Sequence, residues 1–279
     1  MRTLGYYEGR YDEIDRMMIP MDDRVHWFGD GVYDAGPCRH YHIFALDEHI
    51  ERFFSSAAQL EIEIPLSRAE LRDLLQELVH KLDSDSQFVY YQVTRGGGPR
   101  THTFSEGKGR LWITLTPASM PDGKAPVRLI TAEDTRFFHC NIKTLNLIPS
   151  VMASEKARRA GCLECVLYRP GGRVTECAHS NVHILKNGEL YTAPTDRLIL
   201  PGITRAHLIR ACHALSIPVH EEAFMLDDLY NADEILVTSS SKLCVHAGEI
   251  DGRPAGGKAP ELFGRIRDYM MQEFLQATE

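Results

Sequence analysis

Cys140-Asn141-Ile142-Lys143-Thr144-Leu145-Asn146 sets a single lysine in an apolar-to-neutral run, which Leu147 and Ile148 continue. Lysine is scarce in this chain, eight against 23 arginines, so one in such company stands out. Burial depresses a lysine pKa, and a neutral amine is what chemistry at a carbonyl requires. A lysine that packs its stem and keeps its head in water gives the same letters. The stretch therefore needs partners elsewhere in the chain.

Three lie downstream. Gly202-Ile203-Thr204 at a helix start offers free backbone N–H groups, a hydroxyl and the positive helix end, which together suit a phosphate. Ser239-Ser240-Ser241, at the end of the buried strand Ile235-Leu236-Val237-Thr238, offers more hydroxyl and amide donors. Gly172-Arg173-Val174-Thr175-Glu176 puts a carboxylate at the end of a short element, just before the polar turn His179-Ser180-Asn181. A lysine, a carboxylate and a phosphate cradle make the parts list for pyridoxal phosphate. The lysine forms a Schiff base, and the acid keeps the ring nitrogen protonated so that the ring accepts electrons. Polar turns explain any one part; their occurrence together carries the reading.

Upstream, residues 1 to about 46 read as short β-elements, with Gly29-Asp30-Gly31 a tight bend that delivers Tyr33 onto a strand. Cys38, His40 and His42 alternate as if on one strand face, but no carboxylate or fourth ligand accompanies them, so no metal site is expected. Asp47 reads as the N-cap of a helix with Ile50, Phe53, Phe54, Ala57 and Leu60 on its apolar face and Arg52 on its flank. Ser67-Arg68-Ala69-Glu70 is a capping box for a second helix. Strands are expected over 88–94 and 111–116, joined by the glycine-loosened loop Arg95-Gly96-Gly97-Gly98-Pro99-Arg100-Thr101-His102. Its Arg-x-His pair could grip a carboxylate with a fork and an imidazole donor; a solvated basic loop fits equally. Residues 117–126 have linker composition, which places a domain boundary near 120. Beyond it, Ser150 reads as the cap of a helix that Gly161 ends, Asn187-Gly188 joins two short strands, and a last amphipathic helix covers 261–275.

The totals exclude several classes. A net charge of -8 leaves no basic excess for a nucleic-acid backbone. No apolar run approaches the roughly 18 residues of a membrane span, and the N-terminus lacks a signal-peptide core. Seven cysteines without a disulfide framework fit a reducing cytoplasm, with Cys162 and Cys165 read as packed residues.

The chain resembles the fold-type IV pyridoxal-phosphate aminotransferases, most closely the D-amino-acid (D-alanine) aminotransferases. The likeness rests on Ile142-Lys143-Thr144-Leu145-Asn146, on Glu176 through Asn181, on Leu190-Tyr191-Thr192 and on Leu200-Pro201-Gly202-Ile203-Thr204-Arg205, and runs from Gly29-Asp30-Gly31-Val32-Tyr33 to Val237-Thr238-Ser239. It implies an α+β fold of two domains, a smaller N-terminal α/β sandwich over 1–119 and a larger, β-barrel-like cofactor domain with flanking helices over 120–279. It implies that Lys143 holds pyridoxal 5'-phosphate as an aldimine and moves the proton at Cα, that Glu176 pairs with the ring nitrogen, and that Leu200 backs the ring. Arg52 would bind the phosphate with Gly202, Ile203, Thr204, Ser239 and Ser240. Tyr33, Arg100 and His102 would take the substrate α-carboxylate, the last two from the neighbouring subunit of a homodimer. The implied reaction moves an amino group from a D-amino acid to 2-oxoglutarate or pyruvate. The chain departs from the family's usual text at Cys177-Ala178-His179, His183, Asp34 after Tyr33, and Ala35-Gly36-Pro37-Cys38, positions that the resemblance would set near the side-chain pocket. Alternatives are a branched-chain L-aminotransferase or an aminodeoxychorismate lyase of the same fold, against which the Arg100-x-His102 pair argues, and a non-catalytic small-molecule module.

Overall fold

A computed structural model describes all residues 1–279. The chain divides into two compact units: 1–120 with 142–146 and 274–279, and 121–141 with 147–273.

In unit 1, β1 (Leu4–Tyr7), β2 (Arg10–Asp12), the helical turn α1 (Val25–Phe28), β3 (Gly31–Arg39), β4 (His42–Ile43), α2 (Leu46–Gln59), α3 (Arg68–Val79), β5 (Gln87–Thr94) and β6 (Arg110–Pro117) follow in order. The strands form one sheet in the order β2-β1-β6-β5-β3-β4. Alternate residues of its central strands, Val32, Val89, Tyr91, Val93, Leu111, Ile113 and Leu115, bury one face against Ile50, Phe53, Ala57, Leu71, Leu75 and Leu78 of α2 and α3. The remainder of that alternation, Tyr33, Tyr90, Gln92 and Trp112, lies on the other face.

The lysine stretch joins this unit because it runs along β3. Tyr33 N–H donates to the Lys143 carbonyl (2.9 Å), and Leu145 N–H donates to the Gly31 carbonyl (3.0 Å). The last residues join it through Phe274, whose ring meets Phe44 edge-on, and through Thr278, whose carbonyl accepts from Arg39.

Three local expectations change. The N-cap of α2 is Ala45, in the left-handed region (φ 51°), so Asp47 falls in the first turn, where it suits the positive helix end and pairs with Arg72. Cys38, His40 and His42 do not share a strand face: His40 and Tyr41 both have positive φ and turn the chain back, pairing Arg39 with His42 across a hairpin. Cys38 is buried and His42 exposed.

In unit 2, β7 (Val127–Glu133), α4 (Ile148–Arg159), β8 (Glu164–Tyr168), β9 (Val174–Cys177), β10 (Asn181–Lys186), β11 (Glu189–Thr192), α5 (Ile203–Ala214), β12 (Val219–Glu221), α6 (Leu226–Asn231), β13 (Glu234–Ser239), β14 (Leu243–Ile250), β15 (Arg253–Pro254) and α7 (Pro260–Ala277) follow, the tail of α7 belonging to unit 1. Their nine-stranded sheet runs β12-β11-β10-β13-β14-β7-β8-β9, with β15 on β14. One face buries Val182, Ile184, Ile235, Val237 and Val245. The other packs Leu185, Leu190 and Leu236 against Leu208, Cys212, Ile266 and Met270 of α5 and α7. Asn187 and Gly188, both at positive φ, make the tight β10–β11 turn. The third correction concerns α4, which starts at Ile148 rather than after Ser150. Pro149, lacking an N–H and fixed near helical φ, fits the first turn and moves the start forward. No helix is long and apolar enough to cross a membrane.

Candidate functional site

In unit 1, β3 and α2 hold a buried charge cluster. Asp34 projects from β3 toward α2, and His49 and Arg52, three residues apart, share one helix face. Arg52 grips Asp34 with two bonds, Nε to Oδ2 at 2.8 Å and Nη2 to Oδ1 at 2.7 Å, while His49 Nδ1 lies 2.7 Å from Oδ1. Burial alone would raise the Asp34 carboxyl; Arg52 and His49 outweigh it and hold the group well below the usual range. The His49 imidazole is pushed down, by burial first, against the pull of Asp34. Gly36 lets that ring lie against the strand, since a Cβ there would come within 3.2 Å of His49 Nε2. Arg52, read from the sequence as a phosphate ligand, is thus aimed by a carboxylate that the sequence marked only as a departure.

Lys143 sits beside this cluster. Its backbone N–H donates to Ser56 Oγ of α2 (3.2 Å). Its Nζ stands 4.2 Å from the centroid of the Tyr33 ring, which stacks on Tyr90 at 5.3 Å. Two of the singled-out residues, the amine and the phenol, are therefore neighbours. Arg100 and His102 are gathered on a different ring. The guanidinium of Arg100 lies 5.5 Å and the imidazole of His102 5.3 Å from the ring of Phe28. Arg24 Nη1 donates to the Thr101 carbonyl between them (2.9 Å), and its Nε bonds Asp30 at 2.8 Å. Arg95 reaches the same carboxylate and the carbonyls of Leu60 and Glu61, so the base of the loop is pinned while Arg100 and His102 stay exposed.

In unit 2, Glu176 ends β9 with both oxygens engaged. Arg136 Nη1 donates to Oε1 at 2.5 Å; Asn181 Nδ2 (3.0 Å) and the Leu200 amide (3.1 Å) donate to Oε2. Arg136 is held in turn by Asp134, which Thr175 also bonds. Burial pushes the Glu176 carboxyl up to about 7, against the opposing pull of Arg136 and the Leu200 amide. Arg136 went unnoticed in the sequence because an arginine in a loop carries no periodic signal; its partner lies 40 residues away.

Asn181 ties this acid to the start of α5. Its amide also donates to the Leu200 carbonyl (3.0 Å), and its Oδ1 stands where a Cβ on residue 202 would be. Gly202 is the N-cap, so only glycine lets the helix start close on Asn181. Thr204 is buried in the first turn, and Ser239, with its Oγ 3.3 Å from that of Ser241, closes β13. Unpaired helix-start amides, hydroxyls and no carboxylate are a donor set that fits a phosphate. A buried acid able to exchange a proton near neutrality fits a heteroaromatic nitrogen. The residues present thus suit pyridoxal phosphate.

Comparison with known proteins agrees. Residues 31–250 match the family described as amino-transferase class IV. The chain is 38% identical over 257 residues to a D-alanine aminotransferase from Bacillus licheniformis, covering 91% of this chain and 90% of that one. It is 38% identical over 276 residues to a D-alanine aminotransferase from Listeria monocytogenes, covering 95% and 94%. The solved branched-chain amino acid aminotransferase from Escherichia coli superposes with a TM-score of 0.90 at 21% identity, covering 100% of this chain and 96% of the other. That last likeness is one of fold, and it bears out the two-domain α+β expectation.

Proposed function

The chain belongs to the class IV aminotransferases, and we propose on that footing that it transfers the amino group of a D-amino acid such as D-alanine to a 2-oxo acid, 2-oxoglutarate or pyruvate. The observation that carries the reading is Glu176: a buried carboxylate, held on both oxygens and linked through Asn181 to the glycine start of α5. The D-alanine aminotransferases from Bacillus licheniformis and Listeria monocytogenes support the D-amino-acid side.

When bound, pyridoxal phosphate supplies an aldehyde that condenses with amines and a ring that accepts the electrons released at Cα. The remaining work falls to side chains of this chain. Lys143 Nζ, packed against the Tyr33 ring, takes the proton from the substrate Cα and returns it to the product. Glu176 holds the proton at the ring nitrogen, and Arg136 and Asn181 fix its direction. Gly202, Ile203, Thr204, Ser239 and Ser240 take the phosphate, with Arg52 as the cationic partner that Asp34 orients, while Leu200 backs the ring. Tyr33, Arg100 and His102 bind the α-carboxylate and so decide which face of Cα meets the amine. Arg100 and His102 serve the neighbouring subunit of a homodimer, and the cytoplasm is the proposed compartment.

The test is a pair of half-reactions. D-alanine converts the visible absorbance of the bound cofactor to that of its amino form, and L-leucine does not. The reverse preference would favour a branched-chain L-aminotransferase, the reading that the Escherichia coli fold neighbour suggests.

A further inference from the structure

Beneath the first turn of α5, on the sheet face that α5 and α7 otherwise cover with apolar side chains, lies a polar layer. His183 of β10 is fully buried, with Nδ1 2.8 Å from Thr192 Oγ1 on β11 and Nε2 2.9 Å from Thr238 Oγ1 on β13. Thr192 Oγ1 also accepts from Arg205 Nε (3.1 Å), and Arg205 Nη2 donates to the Ala193 carbonyl (2.9 Å) and to Glu221 (2.8 Å). Arg205 follows Thr204 in α5, and Thr238 precedes Ser239 in β13. The two ends of this chain of bonds are thus the backbone neighbours of the two arms of the proposed anion cradle.

We propose that His183 is a positioning residue, which sets the start of α5 against the end of β13 and so fixes the phosphate-binding geometry without touching the phosphate. The inference rests on the function proposed above. A neutral imidazole has one donor and one acceptor, so it bridges two threonine hydroxyls that cannot reach each other across β10. Arg205 is an obligate donor to Thr192, whose own hydroxyl proton can then go to the imidazole, and the second ring nitrogen donates to Thr238. Burial first, and the Arg205 charge second, push the imidazole down to about 3, so it stays neutral and the relay keeps its direction at any physiological pH. A phenyl ring of similar volume would fill the space and leave two buried hydroxyls short of a partner each, the costly arrangement for polar groups.

The experiment measures equilibrium binding of pyridoxal phosphate, and of inorganic phosphate as competitor, to cofactor-free protein well below its unfolding temperature, with Tm recorded in parallel. His183→Phe weakens both ligands about tenfold, less than the full cost of the two buried hydrogen bonds lost, because only part of that cost falls on the cradle. His183→Gln, which keeps a donor and an acceptor, stays within about threefold of wild type. At saturating cofactor His183→Phe recovers turnover, because Lys143 and Glu176 are untouched. Thr238→Val, nearly isosteric, repeats the weakening should the phenylalanine variant fail to fold. A fall in Tm with unchanged affinity in the folded variants overturns the inference alone. Wild-type protein that binds neither ligand removes the proposed function itself.

Discussion

At the residue scale, the proposed chemistry concentrates on Lys143 and Glu176, and their replacements separate binding from turnover. Lys143→Ala abolishes the visible absorbance of the bound cofactor and lowers turnover by at least about 10²–10⁴-fold, the usual contribution of a positioned proton-transfer group; absorbance spectra and single-turnover kinetics check both. A yellow, active variant would contradict the assignment of the amine. Glu176→Gln retains cofactor but loses about 10²–10³-fold in turnover, as removal of a preorganised electrostatic contact does. The acid also leaves a pH signature in cofactor-free protein. Its carboxyl rises from an ordinary 4.5 to about 7 on folding, so its contribution to stability is full below 4.5 and is lost as pH rises through 7. Glu176→Gln escapes that loss. Its Tm relative to wild type should climb between pH 5 and pH 8.5, by the equivalent of about 3 kcal/mol at most. A difference independent of pH would show that the carboxyl is not raised.

At the element scale, the site residues depend on two packing arrangements. The first is α2 on β3, where Asp34 joins His49 and Arg52 inside unit 1. Asp34→Asn leaves a buried guanidinium without its counter-charge and costs about 3–5 kcal/mol, measurable by urea unfolding. A neutral effect would mean the cluster is solvated. Because Asp34 is held low, its contribution to stability persists above the ordinary carboxylate range and is lost only in strong acid. The second is Asn181 on the glycine start of α5. Gly202→Ala drives a Cβ into Asn181 Oδ1, which also loosens the amide bond to Glu176. The variant should lose both cofactor affinity and turnover, about tenfold or more in each, since a buried hydrogen bond is sacrificed. Equilibrium dialysis and steady-state rates distinguish this from Glu176→Gln, which affects turnover alone.

At the scale of the whole molecule, the proposed carboxylate-binding pair can serve either its own chain or the neighbouring one. Arg100 and His102 lie on an exposed loop whose base is pinned by Arg24, Asp30 and Arg95, which suits a ligand offered outward. In a two-fold dimer a residue acting across the interface can be complemented. Lys143→Ala and Arg100→Ala are each inactive, and mixing them after subunit exchange restores up to about a quarter of wild-type activity, because half the dimers are mixed and each has one intact site. Absence of recovery in demonstrably mixed dimers would place the pair in its own subunit's site. Light scattering that reports a monomer would exclude the arrangement altogether.

The local text determined a good deal. Periodicity and turn chemistry located α3 with its Ser67–Glu70 capping box, the central strands, the Asn187-Gly188 hairpin and the glycine-started α5, because these signals act within a few residues. Lys143, Glu176 and the Gly202–Thr204 turn stood out as candidates because each signal spans a few adjacent residues and the three occur together in one chain. Where a helix start depended on approach direction, as at Ala45 and Pro149, and where a hairpin hid inside an alternating run, as at His40 and Tyr41, local reading failed. Tertiary structure alone decided the partners: Arg136 on Glu176, Asp34 under Arg52, His183 between two threonines. Each pairing joins residues distant in sequence, and only burial, by stripping away water, forces a charge or hydroxyl to find that distant partner.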